Sequence, residues 1–246
     1  MPRESMTNIV RVRDFTAEER MSFYQHLVAS TAAERQGLYQ IPFIKAGVRG
    51  NVTLSQYVAF LTEAYHHVKH TVPLLMACGA RLPENLGWLR QAVADYIKEE
   101  IGHEEWILSD IAQCGGDAEQ VRRGQPSLAT ELMVAYAYDT IQRRNPVGFF
   151  GMVLVLEGTS VALATQAADA LQRNLSLPKQ AFRYLLSHGS LDIEHVDFYR
   201  NLMDRVTDPA DQKEIVHCAK VFFQLYGDIF RGLSLAEEKE ESYATA

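Results

Sequence analysis

His188-Gly-Ser-Leu-Asp192-Ile-Glu-His195 is the stretch on which the reading of this chain turns. At the helical advance of ~100° per residue, positions 188, 192 and 195 fall within a wedge of about 60°. Two imidazoles and a carboxylate therefore share one helix face. Leu185 and Tyr199 lie on the same face, which points it inward. Burying such a trio without a partner costs several kcal/mol, and metal coordination is one of the few ways to offset that cost. The plainer reading is a polar stripe facing solvent, so the trio needs support from elsewhere in the chain.

The surroundings are helical. Alternating Val/Ile/Thr runs bounded by tight-turn dipeptides do not occur, whereas helix starts and stops are abundant. Thr16-Ala-Glu-Glu19 forms a capping box that opens a first helix to about Leu38, and Thr53-Leu-Ser-Gln56 opens a second to about Ala77. Pro83 starts a third that runs to Cys114 and stops at Gly115-Gly116. Ser127 begins a fourth, ended by Arg143-Arg144-Asn145, and Pro146 opens a fifth to about Asn174. Ser176 and Pro178 start a sixth to about Val206, and Asp208-Pro209 a seventh that ends near Gly232. Short connections and the absence of a repeat period favour an all-α bundle over a solenoid. The expectation is one seven-helix domain over residues 1–236, with a frayed acidic tail at 237–246.

Composition narrows the class. The 246 residues carry 24 Lys+Arg against 31 Asp+Glu, a formal charge of −7, which argues against a nucleic-acid footprint. With 47% hydrophobic residues the chain is too apolar to be disordered. Cys78, Cys114 and Cys218 are scattered and form no C-x-x-C pair, as in a reduced intracellular protein without a disulfide framework. The N-terminus lacks the build of a signal peptide, and the apolar stretch from Phe149 to Leu156 is short for a bilayer. These features lead to the expectation of a soluble, cytoplasmic protein that binds neither membrane nor nucleic acid.

Two further helices support the trio. Glu100-Ile-Gly-His103 on the third helix is a Glu-x-x-His pair, the spacing by which helical bundles give one carboxylate and one imidazole to a di-iron centre. Asp192-Ile-Glu-His195 repeats it. On the fifth helix, Val153-Leu-Val-Leu-Glu157-Gly-Thr-Ser160 sets one carboxylate in the most apolar part of the chain, where an unpaired glutamate would be neutralised or would destabilise the fold. Gly148, Gly151 and Gly158 would let neighbouring helices approach closely; the structural alternatives for Glu157 are pairing with an arginine such as Arg143 or capping a neighbouring helix. Glu100, His103, Glu157, His188, Asp192 and His195 together make three carboxylates and three imidazoles, a donor set suited to two divalent non-haem irons. On the second helix Glu63, His67 and His70 share a face, as second-shell groups, substrate contacts or a plain amphipathic surface.

The order Glu-x-x-His, Glu, His-x-x-x-Asp-x-x-His resembles that of the haem-oxygenase-like di-iron oxidases and oxygenases. Their fold is shared with haem oxygenase, thiaminase II and the pyrroloquinoline quinone synthase. By motif the resemblance covers roughly residues 90–200. It implies that the six residues are ligands to two Fe(II), with O2 as co-substrate. It further implies a small organic substrate and a homodimer, and leaves the electron donor unknown. Known members of that family include a fatty-acid decarboxylase, N-oxygenases, an amino-acid-fragmenting enzyme and a p-aminobenzoate synthase, so the substrate stays open between fatty-acid-like and amino-acid-derived molecules. Adding Glu63 also imitates ferritin-like di-iron bundles; Asp192, His188 and the helix count favour the haem-oxygenase-like fold. A haem oxygenase would use His26 and a glycine-rich distal helix, faintly echoed by Gly148-Phe-Phe-Gly151. A thiaminase-II-like hydrolase would need an activated cysteine. A cofactor-free oxidase would use imidazoles alone, and a non-enzymatic helical interaction protein would leave Glu157 unexplained.

Overall fold

The computed structural model describes residues 21–235, with side chains described throughout except at 188–195. The capping box at Thr16–Glu19 and the tail at 237–246 therefore lie outside the described residues. All regular structure among those described is helical: α1 (Phe23–Ser30), α2 (Ala32–Tyr39), α3 (Pro42–Arg49), α4 (Leu54–Val68), α5 (Thr71–Arg81), α6 (Gly87–Glu100), α7 (His103–Gln113), α8 (Ala118–Arg123), α9 (Leu128–Arg143), α10 (Phe150–Leu175), α11 (Arg183–Met203) and α12 (Pro209–Gly232). Short 3₁₀ turns at Glu84–Leu86, Pro146–Phe149 and Lys179–Phe182 lead into α6, α10 and α11.

The all-α class holds, and the last four long helices fall where the sequence places them. The first three are subdivided instead of continuous, each for a local reason. At the α1–α2 joint the Thr31 hydroxyl donates to the Leu27 carbonyl at 2.8 Å, and the backbone leaves helical geometry there. Pro73 separates α4 from α5: it cannot donate to the carbonyl of Lys69, and its ring crowds that carbonyl. Gly102 separates α6 from α7, with φ of +90° after an extended Ile101. Helix α3, opened by Pro42 and closed by Gly50 at φ +76°, is an additional element.

Helix α10 is the axis of the bundle, packed by α3, α11 and α12. Its Pro146–Leu175 stretch, with its 3₁₀ lead-in, is by length and composition long and apolar enough to cross a membrane, well beyond the Phe149–Leu156 run, and most of its apolar window is buried inside the bundle. Two of the expected glycines seat it. A Cβ on Gly151 would stand 2.5 Å from the Ala219 nitrogen and 2.9 Å from the Ile215 carbonyl oxygen. One on Gly148 would meet the Cys218 sulfur at 2.7 Å. Gly158, by contrast, faces open space and makes no close approach.

Three side chains fix α11. Asp110, fully buried on α7, accepts from the backbone N–H groups of Arg183 and Tyr184 at 3.1 and 2.8 Å. The Tyr57 hydroxyl donates to the Ala181 carbonyl at 2.9 Å, and that of Tyr199 to the Phe150 carbonyl at 2.7 Å. The last bond ties α11 to the start of α10.

Candidate metal centre

The Glu-x-x-His pair meets, although not as one helical turn. Glu100 closes α6 and His103 opens α7, with the left-handed Gly102 between them. The turn brings His103 Nδ1 to 3.1 Å from Glu100 Oε2, both side chains nearly buried. Two donor atoms ligating one first-row ion at ~2.1 Å in cis positions stand about 3 Å apart, so the pair is spaced to share an ion. Trp106 stacks on His103 at 3.9 Å between ring centroids, and the Arg183 guanidinium lies 4.7 Å over the other partner of that stack, the Trp106 ring. The imidazole is thereby held in orientation by groups beyond the donor set. Trp106 is three residues from His103 on α7; its one-turn spacing is the signal by which the sequence announces it.

Glu100 and Glu157 line one cavity, formed between α4, α5, α6, α10, α11 and α12. It encloses about 700 Å3 including its mouth, and its walls include His67, Leu75, Tyr96, Met152, Leu156, Tyr184 and Tyr226. Tyr96 lines the cavity with the two carboxylates. Its phenol is pushed far above the usual tyrosine range by burial first, then by the charges of Glu157, Tyr199, Glu99 and Glu100. Tyr199 on α11 shifts the same way, by burial and then by Glu157. Glu157 thus faces both α6 and α11. It does not pair with Arg143, which bridges Asp139 at 3.1 Å on the surface.

Residues 188, 192 and 195 lie on α11, but their side chains are outside the described residues, so the trio is placed only by the helix that carries it. Tyr184 and Leu185 precede it and Tyr199 and Leu202 follow it on the same stripe, and all four are buried. Helix α10, the carrier of Glu157, is the main packing partner of α11. Among the described residues alone, no group of three His, Cys, Asp or Glu gathers closely enough to hold an ion.

The α4 residues separate into three roles. His67 lines the cavity, its ring edge-to-face with Tyr226 at 5.8 Å. Glu63 does not line it. Its carboxylate accepts from the Ser127 N–H at 3.1 Å, from the Ser127 hydroxyl at 2.9 Å and from the Thr130 hydroxyl in a short bond. That fastens α4 to the first turn of α9. His70 sits 3.3 Å from the Tyr138 hydroxyl at the start of α5, also outside the cavity lining.

The donor set fits iron on two observations. The described cavity walls hold the carboxylates of Glu100 and Glu157 with no lysine or arginine to balance them; the imidazole on the wall is that of His67, and His103 meets Glu100 from outside the lining. The Glu100–His103 pair adds an oxygen and a nitrogen donor 3.1 Å apart. A divalent cation with nitrogen and oxygen ligands is what such a wall accommodates.

The comparisons with known proteins agree. A family model described as "iron-containing redox enzyme" matches residues 58–227, more than half of the chain. The chain belongs to the family of iron-containing redox enzymes. A Shewanella denitrificans domain of unknown function with a haem-oxygenase-like fold is similar to this family member at TM-score 0.77 and 26% identity, covering 85% of this chain and 91% of that one. A TenA homologue from P. horikoshii has TM-score 0.71 at 11% identity, with 86% and 97% covered. Haem oxygenase-1 from Synechocystis, solved in complex with haem, has TM-score 0.67 at 16% identity, with 87% and 92% covered. These two establish the fold as haem-oxygenase-like. No curated protein sequence matches the chain.

Proposed function

We propose that this iron-containing family member is a non-haem di-iron oxidoreductase, with Glu100, His103, Glu157, His188, Asp192 and His195 holding the metals. The observation that carries the reading is that Glu100, which meets His103 at 3.1 Å, and Glu157 line one cavity packed beside the helix that bears the His-Asp-His trio. Iron bound there would supply the binding and reduction of O2 that oxidises a small organic substrate.

The chain's own residues set the conditions. Leu75, Met152, Val153 and Leu156 exclude water from the carboxylates and lower the local dielectric. Tyr96 keeps its phenolic proton across the physiological range, so a neutral hydroxyl and not a phenolate lines the cavity with Glu100 and Glu157. His67, on the cavity wall, is placed to exchange protons with a bound substrate.

The rival chemistries on this fold fare less well at residue level. His26, the candidate haem ligand, is on the exposed face of α1 and lies 3.3 Å from the Ser30 hydroxyl. Gly148 and Gly151 are occupied by close packing on α12. A thiaminase-like nucleophile needs an accessible thiolate. All three cysteines are buried, and none lines the cavity among the described residues. Burial pushes the Cys78 thiol up to about 12, and burial, assisted by Asp110 and Glu214, pushes Cys114 and Cys218 to about 11.

Anaerobic Fe(II) titration of metal-stripped protein, followed by O2 uptake, tests the proposal. About two irons per chain and O2-dependent oxidation of that iron, both lost in Glu157→Ala and His188→Ala, are expected. Absence of iron binding would overturn the reading and leave cofactor-free or hydrolytic chemistry.

A further inference from the structure

A second chamber adjoins the candidate centre. It encloses about 710 Å3 including its mouth and lies between α3, α4, α10, α11 and α12. Ser160, Tyr184 and Tyr226 line both spaces, so the two meet at a shared wall. The chambers differ in chemistry. The first has Glu100, Glu157 and His67; the second, among the described residues, has no charged side chain and no imidazole, and its hydroxyl groups come only from Tyr57, Thr159, Ser160, Tyr184 and Tyr226. The Tyr57 hydroxyl is already engaged with the Ala181 carbonyl.

The register of α10 links the two. Glu157, Ser160, Ala164 and Ala167 are spaced by three, four and three residues, which puts them on one helical stripe. At 1.5 Å per residue the stripe rises about 15 Å from the carboxylate at one end to Ala167 at the other. The residues along it are small where they line the chamber: Ala164 and Ala167 on α10 are joined by Gly47 on α3. A Cβ built on Gly47 would meet nothing within 4 Å, so the space it leaves is free volume and not a helix contact. A charged or zwitterionic group moved into such walls would lose its hydration without gaining a partner, whereas an alkyl or aryl group would gain by burial.

We propose that this chamber is the substrate's apolar subsite: the substrate is an amphipathic molecule whose polar, reacting end lies at Glu100 and Glu157 and whose uncharged alkyl or aryl portion extends along the Ser160–Ala164–Ala167 stripe. The proposal rests on the placement of the reactive centre in the first cavity. It selects an apolar-tailed substrate over a small zwitterionic one. Gly47, Ala164 and Ala167 set how long or wide the tail can be, and Tyr184 and Tyr226, which line both spaces, stand where head and tail join.

The test uses the full metal-free chain and the n-alkanols from butanol to dodecanol, with dissociation constants measured by calorimetric titration. Affinity is expected to rise about fourfold per added methylene, the transfer gain of a buried CH2, until the chain outgrows the chamber, and then to level off. Ala164→Phe should bring the plateau to shorter alcohols by several carbons. Gly47→Leu, whose new side chain starts in open space, should do the same if the α10 variant fails to fold. Equal affinity for all lengths, or a length dependence that neither variant shifts, would overturn the subsite. Fe(II) titration of the same variants separates the two ideas. Iron binding without chain-length selectivity defeats only the subsite; chain-length selectivity without iron binding defeats only the di-iron reading.

Discussion

Helix α10 carries Glu157, and its seat on α12 depends on Gly151. Replacing Gly151 with alanine would place a methyl 2.5 Å from the Ala219 nitrogen, 2.9 Å from the Ile215 carbonyl oxygen and 3.0 Å from the Cys218 carbonyl carbon. All three obstacles are backbone, so no rotamer change relieves them; the helices must separate. Overpacking of this kind costs about 1–3 kcal/mol, with rigid obstacles placing it at the upper end. Alanine's helical preference over glycine returns about 1 kcal/mol. The expected net loss for Gly151→Ala is therefore about 1–2 kcal/mol. Gly158 is the control on the same helix: nothing lies within 4 Å of its added Cβ, so Gly158→Ala should gain up to about 1 kcal/mol. The two variants should differ by about 2–3 kcal/mol, or roughly 5–10 °C in Tm for a chain of this size. Thermal and urea unfolding of both would measure the gap. If Gly151→Ala proved as stable as Gly158→Ala, the close α10–α12 approach, and with it the stated position of Glu157, would be wrong.

Removing the Glu63 carboxylate in Glu63→Ala should cost about 1–3 kcal/mol, because the Ser127 N–H and the Ser127 and Thr130 hydroxyls lose their acceptor; iron stoichiometry should stay at the wild-type value, and a loss of iron would restore Glu63 to the metal site. Burial raises the Asp110 carboxyl to about 6 despite its two backbone donors. A raised carboxylate pKa means the folded chain binds the proton more tightly than the unfolded one. Stability is then greatest below about 4 and declines by up to about 3 kcal/mol as pH rises through about 6; Asp110→Asn should flatten that slope in urea midpoints taken from pH 4 to 7.5, and an unchanged slope would refute the assignment. The three buried thiols should react with a disulfide reagent at pH 8 only as fast as the chain unfolds, and one rapid equivalent in native protein would revive a nucleophilic cysteine.

Much of the long-helix framework was legible because its signals are local. The Thr53–Gln56 capping box, the Ser127 cap and the Asp208-Pro209 start all act within one turn, and each appears where the residues place it. The joints were less legible. Pro73 breaks its helix through the carbonyl of Lys69, four residues earlier, and reads on its own as an interior proline. Gly102 resembles a tolerated helical glycine until its φ of +90° is known. That joint changes how Glu100 and His103 meet but not that they meet. The inference of proximity survives with a different cause: a turn, in place of a continuous helical face. Glu63 and His67 illustrate the harder problem. Their spacing puts both on one side of α4, yet only the packing of α9 against one and the cavity beside the other separates a cap from a wall residue. Gly158 was grouped with Gly148 and Gly151 by sequence, and only the position of α12 divides them. The apolar chamber left no sequence signal, because Gly47, Ala164 and Ala167 read as ordinary packing residues until five helices meet around them.

Anomalous scattering at the iron edge from crystals of the Fe(II)-loaded chain addresses the central claim most directly. The account predicts two anomalous peaks, with Glu100, His103 and Glu157 at coordination distance on one side and His188, Asp192 and His195 of α11 completing the shells. Iron located away from Glu157, or held in a porphyrin, would contradict it.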